Sequence, residues 1–185
     1  QWVENTKEEA GRMKTLVDEL LFLARIDGAH KPTLMPLDLS DVVMSRLLPF
    51  ESVAYEQGLT LDSRVEPGIL VTGDAGQLGQ LTAILLDNAC KYADREGRVT
   101  LTLDTAQSMA RLRVHNTGAP IPPAQLEHLF ERFYRADDSR CREKGGYGLG
   151  LSIAQSIVET HKGKITVRSG EEGTVFTVLL PLHRT

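Results

Sequence analysis

The sequence has few of the features that mark disulfide-stabilised, metal-binding, membrane-spanning or nucleic-acid-binding proteins. Its two cysteines, Cys90 and Cys141, lie far apart, with no CxxC spacing and no histidine cluster beside them. Neither a disulfide framework nor a zinc site is therefore indicated, and a reducing compartment fits best. No apolar run approaches the roughly eighteen residues needed to span a bilayer. The formal net charge of -4 gives no broad cationic surface, so we expect no nucleic-acid partner.

The chain is long enough to bury a hydrophobic core. Its 185 residues are 41% hydrophobic and 25% charged, which predicts one domain with an appendage. The first fourteen or so residues lack both an initiator Met and the apolar core of a signal peptide. We therefore expect the chain to be cut from within a longer protein.

The appendage is an amphipathic helix predicted over residues 6–27, followed by a linker. Gly28 and Pro32 end the helix, so we place the boundary between a helical segment at 1–31 and a main domain at 32–185. The apolar residues of this helix form a stripe along one face, close to the seam of a coiled-coil heptad. The stripe leaves two alternatives open, self-association and packing on its own domain. Its apolar residues recur at three-and-four spacing: Met13, Leu16, Val17, Leu20, Leu23 and Ala24.

The main domain alternates between helical and strand-like stretches. Asp38 or Ser40 is expected to cap one long helix and Asp74 a second, and a third follows the glycines before residue 151. A short helix is expected at 122–133. Three long helices and five or six strands in mixed order predict an α/β two-layer sandwich, preceded by the amphipathic N-terminal helix.

Two of the predicted strands form a hairpin that ends at an asparagine. The segments RVTLTLDT and ARLRVHN alternate with a period of two and are joined through AQSM. Strand parity places Leu112, Val114 and Asn116 on the buried face. Asn116 thus ends a buried face at a turn, where turn capping is the plainest role for it.

The third long helix begins in a segment rich in glycine. Glycines before a helix let the backbone approach a ligand, and the free amides of the first helical turn attract an anion, usually phosphate. The segment matches neither the Rossmann fingerprint nor the P-loop, and glycine turns also serve as tight corners. Alone it therefore does not assign a phosphate site to the four glycines, Gly145, Gly146, Gly148 and Gly150.

The second long helix carries polar residues within an apolar run, LLDNACKYA. Asn88 and Lys91 are three residues apart and share a face. A buried, unpaired amide costs about 1 to 3 kcal/mol, so Asn88 needs a partner. Two partners are equally compatible with the helix alone, a neighbouring backbone group and a divalent cation.

The order of these motifs resembles the catalytic ATP-binding domain of bacterial two-component sensor histidine kinases. LLDNACKYA, NTGAPIP, LFERFYRAD, GGYGLGLSI and GTVFTV follow one another like the N, G1, F, G2 and final glycine boxes of that family. The resemblance covers nearly all of residues 36–182. The helix RMKTLVDELLFLARID also looks like the second helix of the family's dimerisation and phosphotransfer hairpin.

The resemblance implies a Bergerat-type fold, a mixed sheet against three helices, with ATP held between the N-box helix and a lid. Asn88 would ligate Mg²⁺, Lys91 would contact phosphate, and Tyr92 would lie against the adenine. Asn116 would accept a hydrogen bond from the adenine amino group. Phe130 and Phe133 would anchor the lid. The remaining implied ATP-binding positions are Gly118, Ile121, Phe133, Arg135, Gly146, Gly148, Leu149 and Gly150.

Three positions depart from the family's pattern. Asn116 replaces a common Asp, although its side-chain oxygen still accepts one hydrogen bond, and Pro120 replaces a glycine and stiffens the turn. Ile84 stands where the family commonly has Asn and where related topoisomerase and chaperone ATPases have a Glu that activates water. Because Ile84 has no proton acceptor, we expect slow direct hydrolysis of ATP and transfer to a side chain from another segment.

None of the histidines lies in the family's phosphoacceptor setting, so the acceptor histidine is expected upstream of Gln1. The helix C-terminus near His161 favours a cation, and His183 is placed in a frayed tail. Each histidine is expected to be solvated: His30, His115, His128, His161 and His183.

The resemblance therefore implies an ATP-dependent protein-histidine kinase core. Its expected partners are Mg-ATP, a response regulator receiver domain and a second copy bound through the N-terminal helix. It would be the cytoplasmic portion of a bacterial inner-membrane sensor, reaching the membrane only through upstream segments. Two alternatives remain open, a nucleotide-binding regulatory module without catalysis and an anti-sigma-type serine kinase.

Overall fold

The computed structural model describes residues 2–27, 32–135 and 147–183. Its strands are β1 (Met35–Asp38), β2 (Thr60–Val65), β3 (Leu70–Gly73), β4 (Arg98–Ala106), β5 (Met109–Asn116), β6 (Lys164–Gly170) and β7 (Gly173–Pro181). Five of them form a sheet in the order β2-β4-β5-β7-β6, while β1 and β3 pair separately. Strand β2 runs parallel to β4, and the other neighbours are antiparallel. The predicted α/β fold with a mixed sheet is confirmed.

The five helices in the described residues are α1 (Trp2–Asp27), α2 (Leu39–Glu56), α3 (Ala75–Tyr92), α4 (Pro123–Leu126) and α5 (Gly150–Thr160). Two of them, α2 and α3, begin at side-chain caps. The Asp38 carboxylate accepts a hydrogen bond from the Ser40 amide at 2.8 Å, and the Asp74 carboxylate accepts one from the Gln77 amide at 2.9 Å. Each bond satisfies an amide that the first helical turn leaves without an intrahelical partner. No helix in the described segments is both long and apolar enough to cross a membrane.

The short helix expected at 122–133 is much shorter in the structure. Only Pro123–Leu126 is helical. Beyond it, the amide of His128 bonds the carbonyl of Gln125, and that of Glu131 bonds the carbonyl of His128. These bonds span three residues, so the segment continues as successive turns rather than as an α-helix.

The hairpin of β4 and β5 forms as predicted and sets the side chains that face the helices. Gln107 and Ser108 both have positive φ, 52° and 60°, as a two-residue hairpin turn of the primed type requires. The alternation that follows along β5 buries the predicted face, Leu112, Val114 and Asn116. The sheet therefore presents its apolar face to α2, α3 and α5, and Asn116 stands at the end of that face.

Helix α1 partly resolves the alternatives that its stripe left open. Leu23 is buried in the core, with Leu16 and Phe22 packed beside it. Met13 and Val17 of the predicted stripe remain exposed, by 64% and 50%. One edge of the helix thus packs on its own domain, while the other leaves apolar surface open to a further partner.

His161 is buried rather than solvated, and His183 does not lie in a frayed tail. His161 is 5% exposed; its Nδ1 lies 2.7 Å from the Ile157 carbonyl, and its Nε2 accepts the Asp74 amide at 3.0 Å. The imidazole therefore supplements the cap of α3 from the end of α5, a contact between residues distant in sequence. The His183 amide bonds the Leu70 carbonyl at 2.8 Å, so the described end of the chain is held against β3. His30 lies outside the described residues.

The burial of His161 predicts a loss of stability in mild acid. Burial lowers the pKa of His161, outweighing the opposing effects of the Ile157 carbonyl and Asp74. As the pH falls through the ordinary histidine pKa, His161 is protonated in the unfolded chain but stays neutral in the folded chain. The free energy of unfolding is therefore fully present above that pH and decreases below it. Measured by denaturant titration from pH 7.5 to pH 5, the free energy of unfolding should fall as the pH passes below about 6.5, with a slope from this one group of at most about 1.4 kcal/mol per pH unit.

His161→Gln removes the titrating group, and His115→Gln, on the outer face of the sheet, serves as the matched control. The control should keep the pH dependence of the unaltered chain. An unchanged pH dependence in His161→Gln would contradict the assignment.

Candidate nucleotide-binding site

The candidate site is centred on Asn88, a half-buried residue of α3. Its neighbours Leu85, Leu86 and Ala89 belong to the core. Ile84 and Tyr92 lie four residues to either side of Asn88 and share its face of the helix, each about 6 Å away along the axis. A segment that contacts α3 at Ile84 therefore lies on one side of Asn88, and a segment that contacts α3 at Tyr92 lies on the other side.

Gly150 approaches α3 on the Ile84 side. It is the first residue of α5, and a Cβ built on it would stand 3.5 Å from Cγ2 of Ile84. That is ordinary van der Waals contact, so the start of α5 lies directly against the face of α3 that carries Asn88. The free amides at a helix start are suited to an anion.

Gly118 approaches α3 on the Tyr92 side. A Cβ on Gly118 would lie 2.6 Å from the Tyr92 carbonyl oxygen, too close for any residue but glycine. The Asp94 amide donates to the Thr117 carbonyl at 3.1 Å, which ties the same loop to the end of α3. The predicted N-box helix and two predicted glycine segments are thus brought together, with Asn88 between them.

Gly148 joins the glycine segment to the turns that follow α4. Its φ of +73° lies in the left-handed region, and a Cβ would stand 2.7 Å from the Tyr134 carbonyl oxygen. The Phe133 amide donates to the Gly148 carbonyl at 3.0 Å. Both conditions favour glycine at this position. Gly146, also predicted to bind ATP, lies outside the described residues.

The two phenylalanines expected to anchor a lid differ in environment. Phe130 is half-buried and meets Phe176 edge to face, with ring centroids 6.3 Å apart. Phe133 is 61% exposed and has a φ of +64°. Phe133 is held to the glycine segment by the hydrogen bond from its backbone amide to Gly148, while its side chain is largely exposed.

Asn116 presents one free acceptor at the end of the sheet. The residue is 3% exposed, and its side-chain nitrogen donates to the Thr117 carbonyl at 3.0 Å. With the nitrogen engaged, the side-chain oxygen is the group that remains for an incoming donor, as the adenine interpretation requires.

Two hydroxyls that the sequence analysis missed lie beside Asn116. Thr174 pairs with Asn116 across β5 and β7, and Ser169 pairs with Thr174 across β7 and β6. Their hydroxyl oxygens are 2.7 Å apart. The available signal was their parity, since both fall at inward-facing strand positions although both are polar.

Lys91 already has anionic neighbours. Its ammonium lies 2.6 Å from the Asp87 carboxylate, one turn away on α3. Glu19 of α1 is also near: burial raises its pKa, Lys91 opposes that rise and Asp87 adds to it. A phosphate bound by Lys91 would therefore compete with carboxylates for the ammonium.

The other predicted positions contribute backbone or surface. The side chain of Leu149 is fully buried, so only its backbone can face a ligand. Ile121, Tyr92 and Arg135 are partly or half exposed. Among the described residues, no group of three or more His, Cys, Asp or Glu side chains could hold a metal ion.

Cys90 and Cys141 were expected to form neither a disulfide nor a zinc site. Cys90 is 4% exposed, and burial, with a smaller effect of Asp87, raises its pKa to about 11. The thiol therefore stays protonated at neutral pH and packs as a small apolar group. Cys141 lies outside the described residues.

Alanine at Gly118 should damage the fold locally. The added Cβ collides with a backbone oxygen that cannot rotate away, so Gly118→Ala should lose about 1 to 3 kcal/mol of unfolding free energy. A Cβ on Gly170 meets nothing within 4 Å, and Gly170→Ala should stay within about 0.5 kcal/mol of the unaltered chain. Denaturant unfolding measures both, and equal stabilities would contradict the close approach at Tyr92.

The chain matches one family model and many known proteins. Residues 73–184 match the family described as histidine kinase-, DNA gyrase B-, and HSP90-like ATPase. The chain is 38% identical over 182 residues to the sensor histidine kinase RppB of Synechocystis sp., covering 96% of this chain and 40% of that protein. It spans less than half the length of the curated relatives it matches.

Solved structures give the same result. The mycobacterial sensor histidine kinase MprB is 30% identical, with a TM-score of 0.69 covering 82% of this chain and 99% of that one. Full-length ShkA in complex with AMPPNP is 26% identical, with a TM-score of 0.84 covering 100% of this chain and 39% of that one. The chain therefore belongs to the histidine kinase-, DNA gyrase B- and HSP90-like ATPase family, as an ATP-binding domain of the two-component sensor histidine kinase type.

Proposed function

We propose that this chain binds Mg-ATP on the Asn88 face of α3 and transfers the γ-phosphoryl group to a histidine outside the chain. The observation that carries the proposal is the position of Asn88, with Gly150 one turn to one side and Gly118 one turn to the other. Side-chain-free backbone on both sides of a polar residue leaves room for a ligand against an otherwise apolar helix.

The ends of the site suit the two ends of a nucleotide. The side-chain oxygen of Asn116 accepts a hydrogen bond from the adenine amino group, and Tyr92 lies beside the base. The amides at the start of α5 and the Lys91 ammonium meet the phosphates. Of the further positions, Gly118, Ile121, Phe133, Arg135, Gly148, Leu149 and Gly150 shape the cavity through backbone or surface.

The residues present fit a magnesium ion only together with the phosphates. Asn88 offers one neutral oxygen, and Mg²⁺ usually takes one or two protein ligands while keeping water and phosphate oxygens. Bound there, the ion would offset the charge of the transferred group. The role of Asn88 is to hold an oxygen toward the phosphates from a helix whose other neighbours are apolar.

Transfer to an external histidine follows from Ile84. This residue is half-buried and packs against Gly150, so the position beside Asn88 offers no base to activate water. In the transfer, the bond from the γ-phosphorus to the bridging oxygen breaks, a phosphorus–nitrogen bond to imidazole forms, and ADP leaves.

The longer protein is proposed to be a dimeric, membrane-bound sensor. The exposed apolar side chains of α1, Met13, Val17, Leu20 and Leu21, suit pairing with a second copy. A response regulator receiver domain would take the phosphoryl group from the histidine. This chain would be the cytoplasmic portion of a bacterial inner-membrane protein.

Nucleotide titration followed by thermal unfolding tests the site. A ligand that binds only the folded chain at a hundred times its Kd should add about 2.7 kcal/mol of apparent stability. Asn88→Ala should lose the part of this gain that depends on Mg²⁺. Gln80→Ala, which removes an exposed amide from the same helix, is the matched control and should keep it.

Gly150→Ala separates binding from folding in the same titration. The added methyl makes only ordinary contact with Ile84, so the variant should unfold no earlier than the unaltered chain. It should nevertheless bind ATP more weakly, because the methyl fills space that the phosphates need. No stabilisation of the unaltered chain by Mg-ATP would refute the nucleotide site.

A phosphorylation assay tests the reaction. Purified chain alone should release phosphate from ATP slowly, and addition of the upstream helix with its histidine should give acid-labile phosphohistidine. ATP binding without phosphohistidine would favour the regulatory module, and acid-stable phosphate the serine kinase. Rapid ATP turnover without an acceptor would contradict the role given to Ile84. Sedimentation of the longer chain would show whether it dimerises.

A further inference from the structure

The inward face of the sheet changes character at its last rung, the row of residues paired side by side across neighbouring strands. Two successive rungs are wholly apolar across β4, β5, β7 and β6: Leu103, Leu112, Val178 and Ile165, then Leu101, Val114, Phe176 and Val167. The next rung begins with Val99 and then holds Asn116, Thr174 and Ser169. Three polar side chains in a row thus replace the core where the sheet meets the proposed adenine position.

Ser169, the last residue of this polar row, also forms a hydrogen bond with a loop outside the sheet. Its hydroxyl oxygen accepts the Ile121 amide at 2.9 Å and lies 2.7 Å from the Thr174 hydroxyl. Ile121 belongs to the loop that runs from Thr117 to Pro122, so this one side chain joins the loop to both strands of the β6–β7 hairpin.

The loop has few other ways to be held at that end. Thr117 is anchored at the start by backbone bonds, its amide to the Arg98 carbonyl at 3.0 Å and its carbonyl to the Asp94 amide at 3.1 Å. Ile121 lies between Pro120 and Pro122, which have no amide hydrogen to donate. The Ile121 amide is therefore the one backbone donor of that tripeptide, and Ser169 accepts it.

We propose that Ser169 is a positioning residue for the purine-binding end of the nucleotide site. Its hydroxyl fixes the loop at Ile121, while the close approach of Gly118 to Tyr92 fixes it at the other end. The loop is thereby held at the distance from Asn116 that a flat base requires. This inference rests on the proposed nucleotide site and assigns Ser169 no contact with the base itself.

The test compares three variants of this chain. Ser169→Ala removes the acceptor, Ser169→Thr keeps a hydroxyl, and Thr166→Ala removes an exposed hydroxyl from the same strand. Calorimetric titration with a non-hydrolysable ATP analogue, ADP and inorganic tripolyphosphate, each with Mg²⁺, separates the base from the phosphates.

We expect Ser169→Ala to weaken both adenine nucleotides by the same factor, roughly threefold to tenfold. Tripolyphosphate binding should be unchanged, Ser169→Thr should recover most of the affinity, and Thr166→Ala should behave as the unaltered chain. A role in general stability alone would weaken all three ligands together and would overturn the proposal.

Hydrogen exchange of the Ile121 amide gives a second measurement that needs no nucleotide. It should be faster in Ser169→Ala and slow again in Ser169→Thr, and unchanged exchange would overturn the proposal. If the unaltered chain binds no nucleotide, both the proposed nucleotide site and the positioning role of Ser169 are refuted. If the unaltered chain binds and Ser169→Ala binds equally well, only the role of Ser169 fails.

Discussion

The close approach of two backbone segments to one face of α3 is the constraint on which the rest of the site depends. Gly118 fits against the Tyr92 carbonyl because it has no Cβ, and Gly150 begins α5 in contact with Ile84. Neither segment could lie there with a large side chain. Two glycines, far apart in sequence, therefore allow three elements to converge around Asn88. The apolar interior of the sheet then supplies the rigid support behind them.

Polar groups interrupt the apolar core where the converging elements meet. Asn88 interrupts the apolar run of α3, and Asn116, Thr174 and Ser169 replace the core at the last rung of the sheet. A buried polar group without a partner is costly, and the side-chain nitrogen of Asn116 and the hydroxyl of Ser169 each have one. These hydrogen bonds within the protein offset part of the energetic cost of burying the polar row.

Local patterns predicted most of the elements, although they did not predict β1 or the early end of α4. The cap Asp74 and the buried face of β5 follow from the nearest few residues and were predicted correctly, and Asp38 is the cap where Asp38 or Ser40 had been expected. The burial of His161 and the bond from Ile121 to Ser169 join segments 87 and 48 residues apart. Such pairings depend on strand order and helix placement, which periodicity does not encode. The motif order predicted the meeting of the glycine segments only through the family resemblance.

The histidine at the end of α5 has a mechanical consequence. His161 fastens that end of the helix to the first turn of α3, while Gly150 rests against the middle of α3. The two helices thus form one antiparallel strut, braced at two points along its length. A tilt of α5 away from α3 at Gly150 would strain the contact between His161 and Asp74 at its other end. The two contacts therefore hold the start of α5 and the Asn88 face of α3 in a fixed relation to each other.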